Sequence, residues 1–343
     1  MNKFIATAFL FLFLKFSTQA QSKVEIMDMI KAFSYYHGIE RTLDCIIDKY
    51  PNLSPDAVIQ KSKLIGHHRS SEGFLKGILM DKLGGEYYQL ELQLTQAISC
   101  DLLTPQASKE YLENLFNDRI QGNHNSYAEF VQLLLKYNPK YSNNNLKEFT
   151  DNFRTKYSTK DHPKSKGLHF SISFPKSWII LEGSRPNIIM KAEDQRNKGM
   201  YLMLVTKEFL SKSEFKTFIY DEGLDIKTKQ YKEYIKNSIF TTDFINDLRE
   251  ETTEFKVLNE TKLDGQPALL YYSATPNERA GIEAKIHQNT AIVIYKNYLI
   301  FISLGVAIVE NGLGFDYSKL ENGNMEMLFK SIINTLVIDD QWK

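Results

Sequence analysis

Residues 167–178, GLHFSISFPKSW, decide how the second half of this 343-residue chain folds. Polar and apolar side chains alternate here, which is the period-two pattern of a strand with one buried face. The apolar members are Leu168, Phe170, Ile172 and Phe174. Pro175 ends the pattern because it cannot donate to a strand ladder, and Trp178 follows within reach of the same face. The chain before this strand is predicted to be helical, and the chain after it is predicted to form a sheet with two helices.

Length, composition and charge describe an ordinary globular protein. A chain of 343 residues is too long for one typical core, so two domains are expected. Its 43% hydrophobic and 24% charged residues exclude both a disordered chain and a membrane bundle. Basic and acidic residues balance at 42 each, without a block of basic residues. We therefore expect neither a nucleic-acid-binding protein nor a polycationic membrane binder.

The first twenty residues predict a cleavable signal peptide. Lys3 supplies the positive charge, and the apolar run at 4–14 is too short to span a bilayer comfortably. Residues 18–20, TQA, place small side chains at positions −3 and −1 of a cleavage site that follows Ala20. The alternative is an N-terminal anchor or a buried helix. We expect an exported bacterial protein, periplasmic or secreted, with no membrane span in the mature chain.

The chain has two cysteines, Cys45 and Cys100, both in its first half. In an exported protein an isolated pair usually forms a disulfide. Closing a loop of about 55 residues would stabilise the fold by about 4 kcal/mol in the chain-entropy description. The alternative is two buried free thiols. The sequence has no CxxC motif, so a redox site is not indicated.

Residues 21–157 predict an all-α domain of six or seven helices, which is typical of a helical bundle. Apolar side chains recur there at helical spacing, and the Thr-Pro pair at 104–105 is a typical helix start. The last helix is predicted to run to Tyr157. Residues 158–166, STKDHPKSK, carry no large apolar side chain and are the predicted linker.

Residues 167–343 predict an α+β domain. After the opening strand, strands are predicted at 187–191, 200–206, 257–263, 268–273, 282–295 and 298–309, and helices at 241–255 and 325–336. Asp264 and Gly265 are predicted to form a hairpin turn between two of the strands. Residues 207–240 lack clean periodicity and are predicted to be an insertion with some helix.

This order of elements resembles the PsbP-like fold family, which includes a photosystem extrinsic subunit, a Ran-binding nuclear import factor and small secreted bacterial proteins. The resemblance is carried by the strand and Trp at 170–178, the sequence LDGQPA at 263–268, the hairpin at 282–309 and the helix at 325–336. It covers about half of the chain. It implies a twisted antiparallel sheet, flanked by helices, that binds other proteins and usually has no active site. The 207–240 segment departs from the family pattern, and no family resemblance extends to the helical half.

No motif in the sequence predicts catalysis, a cofactor or a metal site. The seven histidines form no HExxH sequence, and the adjacent His67 and His68 would point about 100° apart on a helix. The sequence contains no GxSxG elbow and no P-loop, and Gly-Leu-Gly at 312–314 lacks the third glycine of a dinucleotide loop. We therefore expect no catalytic, cofactor-binding or metal-binding residues, and a protein that is not an enzyme.

Aromatic residues make up 13% of the chain, and five of those in the 207–240 segment are hypothesised to bind a partner. They are Phe215, Phe218, Tyr220, Tyr231 and Tyr234. The alternative for these side chains is ordinary core and sheet packing.

The preferred functional hypothesis is an exported, non-enzymatic protein-binding or envelope-assembly module. Its partner would be another envelope or extracellular protein. The alternative is an exported hydrolase with its active site in an interdomain cleft, where acid and base residues from both halves would meet. A deep polar cleft with converging ionisable side chains would favour the hydrolase, and exposed aromatics without such convergence would favour the binding module.

Overall fold

The computed structural model describes residues 20–115, 126–142, 144–183, 185–197, 199–279, 282–309 and 324–342. The chain divides into two compact units between Ser142 and Asn143. Apart from Ala20, the predicted signal peptide lies outside the described residues. Within the described residues, no helix combines the length and the apolar character that a membrane span requires.

The described part of the first unit is built from helices, as predicted. They are α1 (Ala20–Lys49), α2 (Ser54–Leu83), α3 (Gly85–Ala97), a 3-10 turn (Cys100–Leu102), α4 (Pro105–Asn114) and α5 (Ser126–Lys136). The long helices α1 and α2 pack together, and α1 also contacts α3 and α5. This packing buries apolar side chains such as Phe33, Leu43 and Leu64. Thr104 caps α4 as predicted, because its hydroxyl oxygen accepts from the Ala107 N–H at 3.2 Å.

The predicted disulfide is confirmed: Cys45 of α1 is bonded to Cys100 of the 3-10 turn, and their Cα atoms are 5.2 Å apart. Lys49 lies one turn further along α1. Its Nζ donates to the carbonyl oxygens of Cys100, Asp101 and Leu103 at 3.0, 3.3 and 3.1 Å. A covalent bond and three charge-assisted hydrogen bonds therefore hold the turn against the end of α1.

The second unit contains two antiparallel sheets and five α-helices within its described residues. The helices are α6 (Asn145–Thr150), α7 (Lys212–Asp221), α8 (Lys229–Ile239), α9 (Thr242–Glu250) and α10 (Asn324–Ile333). The strands are β1 (Arg154–Ser158), β2 (Phe170–Pro175), β3 (Ile179–Glu182), β4 (Ile188–Glu193), β5 (Met200–Glu208), β6 (Glu254–Leu263), β7 (Gln266–Arg279), β8 (Ile282–Tyr295), β9 (Tyr298–Val309) and β10 (Val337–Ile338). The large sheet has the order β3-β4-β5-β9-β8-β7-β6, and the small sheet has the order β1-β2-β10. The predicted α+β architecture of a sheet flanked by helices is confirmed.

The strands of the large sheet lie close to their predicted positions. β8 and β9 have the predicted bounds, and β4 and β5 overlap their predicted ranges. Asp264 and Gly265 join β6 to β7 with φ angles of 46° and 71°. Positive φ at both central residues is what a two-residue hairpin turn requires, so the predicted turn is confirmed.

The boundary between the two halves lies earlier in the chain than predicted. The last predicted helix, expected to run to Tyr157, ends at Thr150, and Asn152 follows with a φ of 70° that a helix cannot accept. Residues 154–158 form β1 instead, because Thr155 and Tyr157 alternate with exposed neighbours and pair with β2. The predicted linker at 158–166 belongs to the second unit and contains a 3-10 turn at Pro163–Ser165.

The opening strand has the predicted buried face but lies in a different sheet from the one expected. Phe170, Ile172 and Phe174 are fully buried with Trp178 in the main core. As β2, this strand pairs with β1 on one side and β10 on the other, and not with the large sheet. An alternating pattern fixes which face is buried but not which strands pair, so the sequence could not distinguish the two sheets.

The 207–240 segment, which is predicted to contain some helix, is mostly helical. It forms α7 and α8, which begin at the caps Ser211 and Thr228. The predicted helix at 241–255 is shorter, because α9 ends at Glu250 and Phe255 lies in β6. The helices α7 and α8 each have only about three turns, so a window that spans both of them and their connection loses their periodicity.

The two faces of the large sheet are covered differently. One face packs against α10 and β2, and forms the main core with residues such as Leu202, Ile302 and Phe329. On the other face, α7, α8 and α9 form a second core with the strands β7, β8 and β9. The buried sheet residues of this second core are Leu269, Tyr271, Ile292, Ile294 and Leu299. Among the described residues, β3, β4 and β5 contribute none, so the three helices cover only part of that face.

Candidate functional site

The structure does not present the five predicted partner-binding aromatics as one surface. Phe215 and Tyr231 are buried in the second core, so their proposed role as exposed anchors is wrong. Phe218 is partly buried, and its ring centroid lies 5.7 Å from that of Tyr234, which is 38% exposed. Tyr220 is 86% exposed. It lies two positions after Phe218, and helical residues at that spacing do not face the same side.

β5 carries the clearer indication of a surface, because it is apolar on both faces. Its even-numbered residues from Met200 to Leu204 point into the main core. The intervening side chains, Tyr201, Met203 and Val205, lie on the opposite face and are half-buried. A strand that turns one face to water normally alternates apolar and polar residues, whereas a strand covered on both faces is apolar throughout. The sequence of β5 therefore corresponds to a strand with two covered faces.

Neighbouring strands extend this surface towards the edge of the sheet. Leu181 of β3, Lys191 of β4 and Met203 of β5 are cross-strand partners in register, so their side chains lie side by side. Leu181 is 39% exposed and Lys191 is half-buried. We call the surface formed by Leu181, Lys191, Tyr201, Met203 and Val205 the open sheet face.

Tyr201 connects the open sheet face to polar side chains on β8 and β9. Its ring lies over Gly305, where an added Cβ would be 2.6 Å from the Tyr201 Cζ. Its hydroxyl donates to Gln288 Oε1 at 3.1 Å, and Gln288 Nε2 donates to Thr290 Oγ1 at 2.8 Å. Thr290 and Ser303 share a further hydrogen bond of 3.0 Å. The surface thus joins an apolar area to an ordered row of hydrogen-bonding groups.

The ionisable groups of this surface favour binding over proton transfer. Burial raises the pKa of Tyr201 to about 12, so its hydroxyl is a neutral donor at physiological pH. Lys191 Nζ lies 4.9 Å from the centre of the Tyr201 ring and 2.5 Å from Glu193 Oε1. The cation is held between an aromatic face and a carboxylate, which orients it at the surface. Aromatic side chains and methionines, such as Tyr201 and Met203, are enriched at protein interfaces.

A second group of ionisable side chains lies buried between α6 and the β4–β5 connection. Arg196 donates from Nη2 to Glu148 Oε2 at 2.7 Å and from Nε to Asp194 Oδ1 at 3.2 Å. Ser177 donates its N–H and its hydroxyl to Glu148 at 2.7 and 2.8 Å. Burial raises the pKa of Glu148, against the opposing effects of Arg196 and Ser177. Because both carboxylates are bonded to groups of this cluster, we assign it the structural role of fixing α6 to the sheet.

A histidine–tyrosine pair lies on β7 and β8. The Tyr272 hydroxyl and His287 Nδ1 are 2.6 Å apart, and His287 is 5% exposed. Burial and the nearby Lys285 lower the pKa of His287, so the ring is neutral at pH 7. Among the described residues, no group of three or more His, Cys, Asp or Glu side chains could hold a metal ion.

The open sheet face is absent from the sequence predictions, although the sequence carries a signal for it. Residues 200–205, MYLMLV, are six consecutive apolar side chains within a predicted strand. Such a run predicts a strand covered on both faces. The helices α7, α8 and α9 lie elsewhere on the sheet, so only the structure reveals that part of this run is incompletely covered.

Comparison with known proteins adds two similar folds. No protein-family model and no curated protein matches the chain. Cyanobacterial PsbP (CyanoP) from Synechocystis sp. PCC 6803 is 15% identical, and the match covers 54% of this chain and 92% of that one with a TM-score of 0.30. LpqN, involved in cell envelope biogenesis of Mycobacterium tuberculosis, is 10% identical, with coverage of 55% and 92% and a TM-score of 0.29. Each match covers about half of this chain and nearly all of the other protein.

Proposed function

We propose that this protein is an exported, non-enzymatic binding module that covers its open sheet face with another protein of the envelope or the extracellular space. The observation that carries the proposal is the apolar, half-buried row of Tyr201, Met203 and Val205 on a strand whose other face is already packed. A partner that covers this row removes apolar surface from water, which is the main driving force of association.

Two further features support export. The first twenty residues have the composition of a signal peptide. The Cys45–Cys100 disulfide is of a kind that persists in oxidising compartments and is uncommon in the cytosol. An envelope or secreted partner is therefore the expected class.

The test compares two substitutions of methionine by lysine. Met203→Lys places a charge in the open sheet face, and its long stem lets the ammonium reach water without unfolding the strand. Met327→Lys makes the same change on α10, where the methionine is 50% exposed. The affinity-tagged full chain is exported by its own host, crosslinked, purified and analysed by quantitative mass spectrometry. We expect one partner protein to be recovered in equal amounts with the wild type and with Met327→Lys. Its recovery with Met203→Lys should be about tenfold lower.

Equal recovery with both variants would show that the open sheet face is not the binding surface. Thermal unfolding of each variant checks that the loss does not come from misfolding. The alternative of an exported hydrolase with a site between the two halves stays a prediction. The clusters of ionisable groups described above do not support it.

A further inference from the structure

The exposed face of β1 and the turn that follows it carry a row of cations. Arg154 and Lys156 lie on the exposed side of β1, whereas the intervening Tyr157 packs against the main core. Lys160 is exposed in the turn after the strand. Arg154 is oriented by Phe149, because its Nε donates to the Phe149 carbonyl at 2.7 Å and its guanidinium lies over the Phe149 ring. Residues two apart on a strand are about 6.6 Å apart, which is the spacing of Arg154 and Lys156. The exposed row therefore concentrates positive charge on one side of the small sheet.

These cations are not neutralised within the described parts of the chain. Neighbouring lysines have acidic partners: Lys164 lies 3.4 Å from Glu182, and Lys166 lies 3.6 Å from Glu208. By contrast, none of the described carboxylates forms an ion pair with Arg154, Lys156 or Lys160. Residues 154–176 hold six cationic side chains and one acid, a net charge of +5. The three cations without a carboxylate partner therefore favour an anionic partner.

The backbone of β1 has one free side. β1 is an edge strand and pairs only with β2 among the described strands. At one end the Thr159 N–H donates to the Phe170 carbonyl at 2.9 Å, and at the other the Lys176 N–H donates to the Phe153 carbonyl at 3.0 Å. Antiparallel pairs alternate between residues that bond to the partner strand and residues that do not. The odd-numbered residues of β1 therefore bond to β2.

It follows that the N–H and C=O groups of Lys156 and Ser158 point away from the sheet. Lys156 belongs to the cation row, and Ser158 lies between Lys156 and Lys160 in the chain. Each pair of outward groups has the spacing that a further antiparallel or parallel strand would use.

The edge strand β6 of the large sheet does not share these properties. β6 is interrupted by a bulge between Val257 and Asn259. Its acids are paired: Glu254 with Lys285 at 2.5 Å, and Glu260 with Lys236 at 2.7 Å. A bulge is one way in which proteins block an edge, and charged side chains on the edge strand are another. β1 pairs with β2 without a bulge, and its cations Arg154 and Lys156 discourage apolar or basic strands while leaving acidic ones free to add.

We propose that the β1 edge binds an extended acidic polypeptide segment, which adds to the small sheet as a further strand and places carboxylates opposite Arg154 and Lys156 and beside Lys160. A polypeptide fits better than an anionic lipid surface because it both donates to and accepts from the ladder. A phosphate oxygen only accepts, and it leaves the carbonyls of Lys156 and Ser158 without a donor. This surface is separate from the open sheet face, so either can bind without the other.

The binding assay uses the full chain and a fluorescein-labelled decapeptide of alternating Thr and Glu, followed by fluorescence anisotropy. We expect binding that weakens as salt is added, because the cross-strand ion pairs are exposed. A peptide with Lys in place of Glu should not bind. A Thr/Glu peptide that is N-methylated at alternate residues keeps all its charges but loses ladder donors, and it should bind at least about tenfold more weakly.

Three protein variants separate the ladder from the charge. Ser158→Pro removes the N–H of Ser158, which points away from the sheet. An edge strand tolerates proline at such a position. The variant keeps the charges of β1 and should abolish binding. The double variant Lys156→Gln/Lys160→Gln should weaken binding about fivefold. The matched control Lys212→Gln/Lys216→Gln removes two exposed lysines of α7 and should stay within about twofold of the wild type.

Several outcomes would overturn the proposal. Equal binding of the N-methylated and unmodified peptides would mean that no strand is added. If thermal unfolding shows that Ser158→Pro does not fold, the comparison of the two peptides alone tests strand addition. An equal loss in the control pair would mean that binding follows only net charge. Binding to vesicles of phosphatidylglycerol that survives Ser158→Pro and exceeds peptide binding would assign the row to a lipid surface instead.

Discussion

At the scale of single residues, Gly305 shows how one position sets the geometry of the open sheet face. It interrupts the apolar run of β9 and lies under the ring of Tyr201, so close that a Cβ added to Gly305 would lie 2.6 Å from the Tyr201 Cζ. We expect Gly305→Ala to displace the ring, break its hydrogen bond to Gln288 and lower the free energy of unfolding by about 1–3 kcal/mol. Chemical denaturation of the purified protein measures this change.

A double-mutant cycle identifies the cause of that loss. In a Tyr201→Ala background the ring is absent, so Gly305→Ala should cost little or even stabilise the strand, because glycine is the poorer strand residue. An equal loss in both backgrounds would mean that Tyr201 does not require the glycine.

At the scale of elements, the short helix α6 depends on the buried charges around Arg196. The side chains of Glu148 and Asp194 are both 0% exposed, and Arg196 is the cation bonded to each. Arg196→Leu would leave two buried carboxylates without it, so we expect a loss of about 3–5 kcal/mol in the free energy of unfolding. Glu148→Gln should lower the free energy of unfolding less than Arg196→Leu does. Burial raises the pKa of Glu148 and so already favours the neutral form that glutamine mimics.

The matched control for Arg196→Leu is Lys330→Leu. Lys330 lies 2.7 Å from Glu326 on the exposed side of α10, and such pairs contribute little. We expect a change within about 0.5 kcal/mol, measured by the same denaturation curves. Similar losses for both variants would argue that the cluster does not fix α6.

The elements also show what the sequence could and could not predict. β8, β9 and their hairpin follow from long apolar runs and a two-residue turn, which are local signals. The pairing of β2 with β1 and β10 is not local, so the same alternating pattern predicts the wrong sheet. Tyr231 is predicted on a partner surface because aromatic side chains serve cores and interfaces alike, and only the packing of α8 on the sheet distinguishes the two uses. The open sheet face escapes prediction for the same reason: incomplete coverage is a property of the assembled layers.

At the scale of the whole molecule, the two units should respond differently to reduction. Both cysteines lie in the first unit, and both tryptophans, Trp178 and Trp342, lie in the second. Tryptophan fluorescence therefore reports the second unit, whereas the far-ultraviolet circular dichroism of the long helices reports mainly the first. We expect a Cys45→Ala/Cys100→Ala variant to lose at most about 4 kcal/mol in the dichroism transition, with the fluorescence transition unchanged.

The size of that loss tests how the 3-10 turn at 100–102 is held against the end of α1. Lys49 keeps its three carbonyl acceptors when the disulfide is absent, so the turn should stay in place and the measured loss should not exceed the chain-entropy value. Lys49→Met should then lower the free energy of unfolding more in the cysteine variant than in the wild type, because the disulfide and the Lys49 hydrogen bonds each hold the turn when the other is absent. Strict additivity would show that the two contacts act independently. A fluorescence transition that shifts together with the dichroism would show that the units unfold as one.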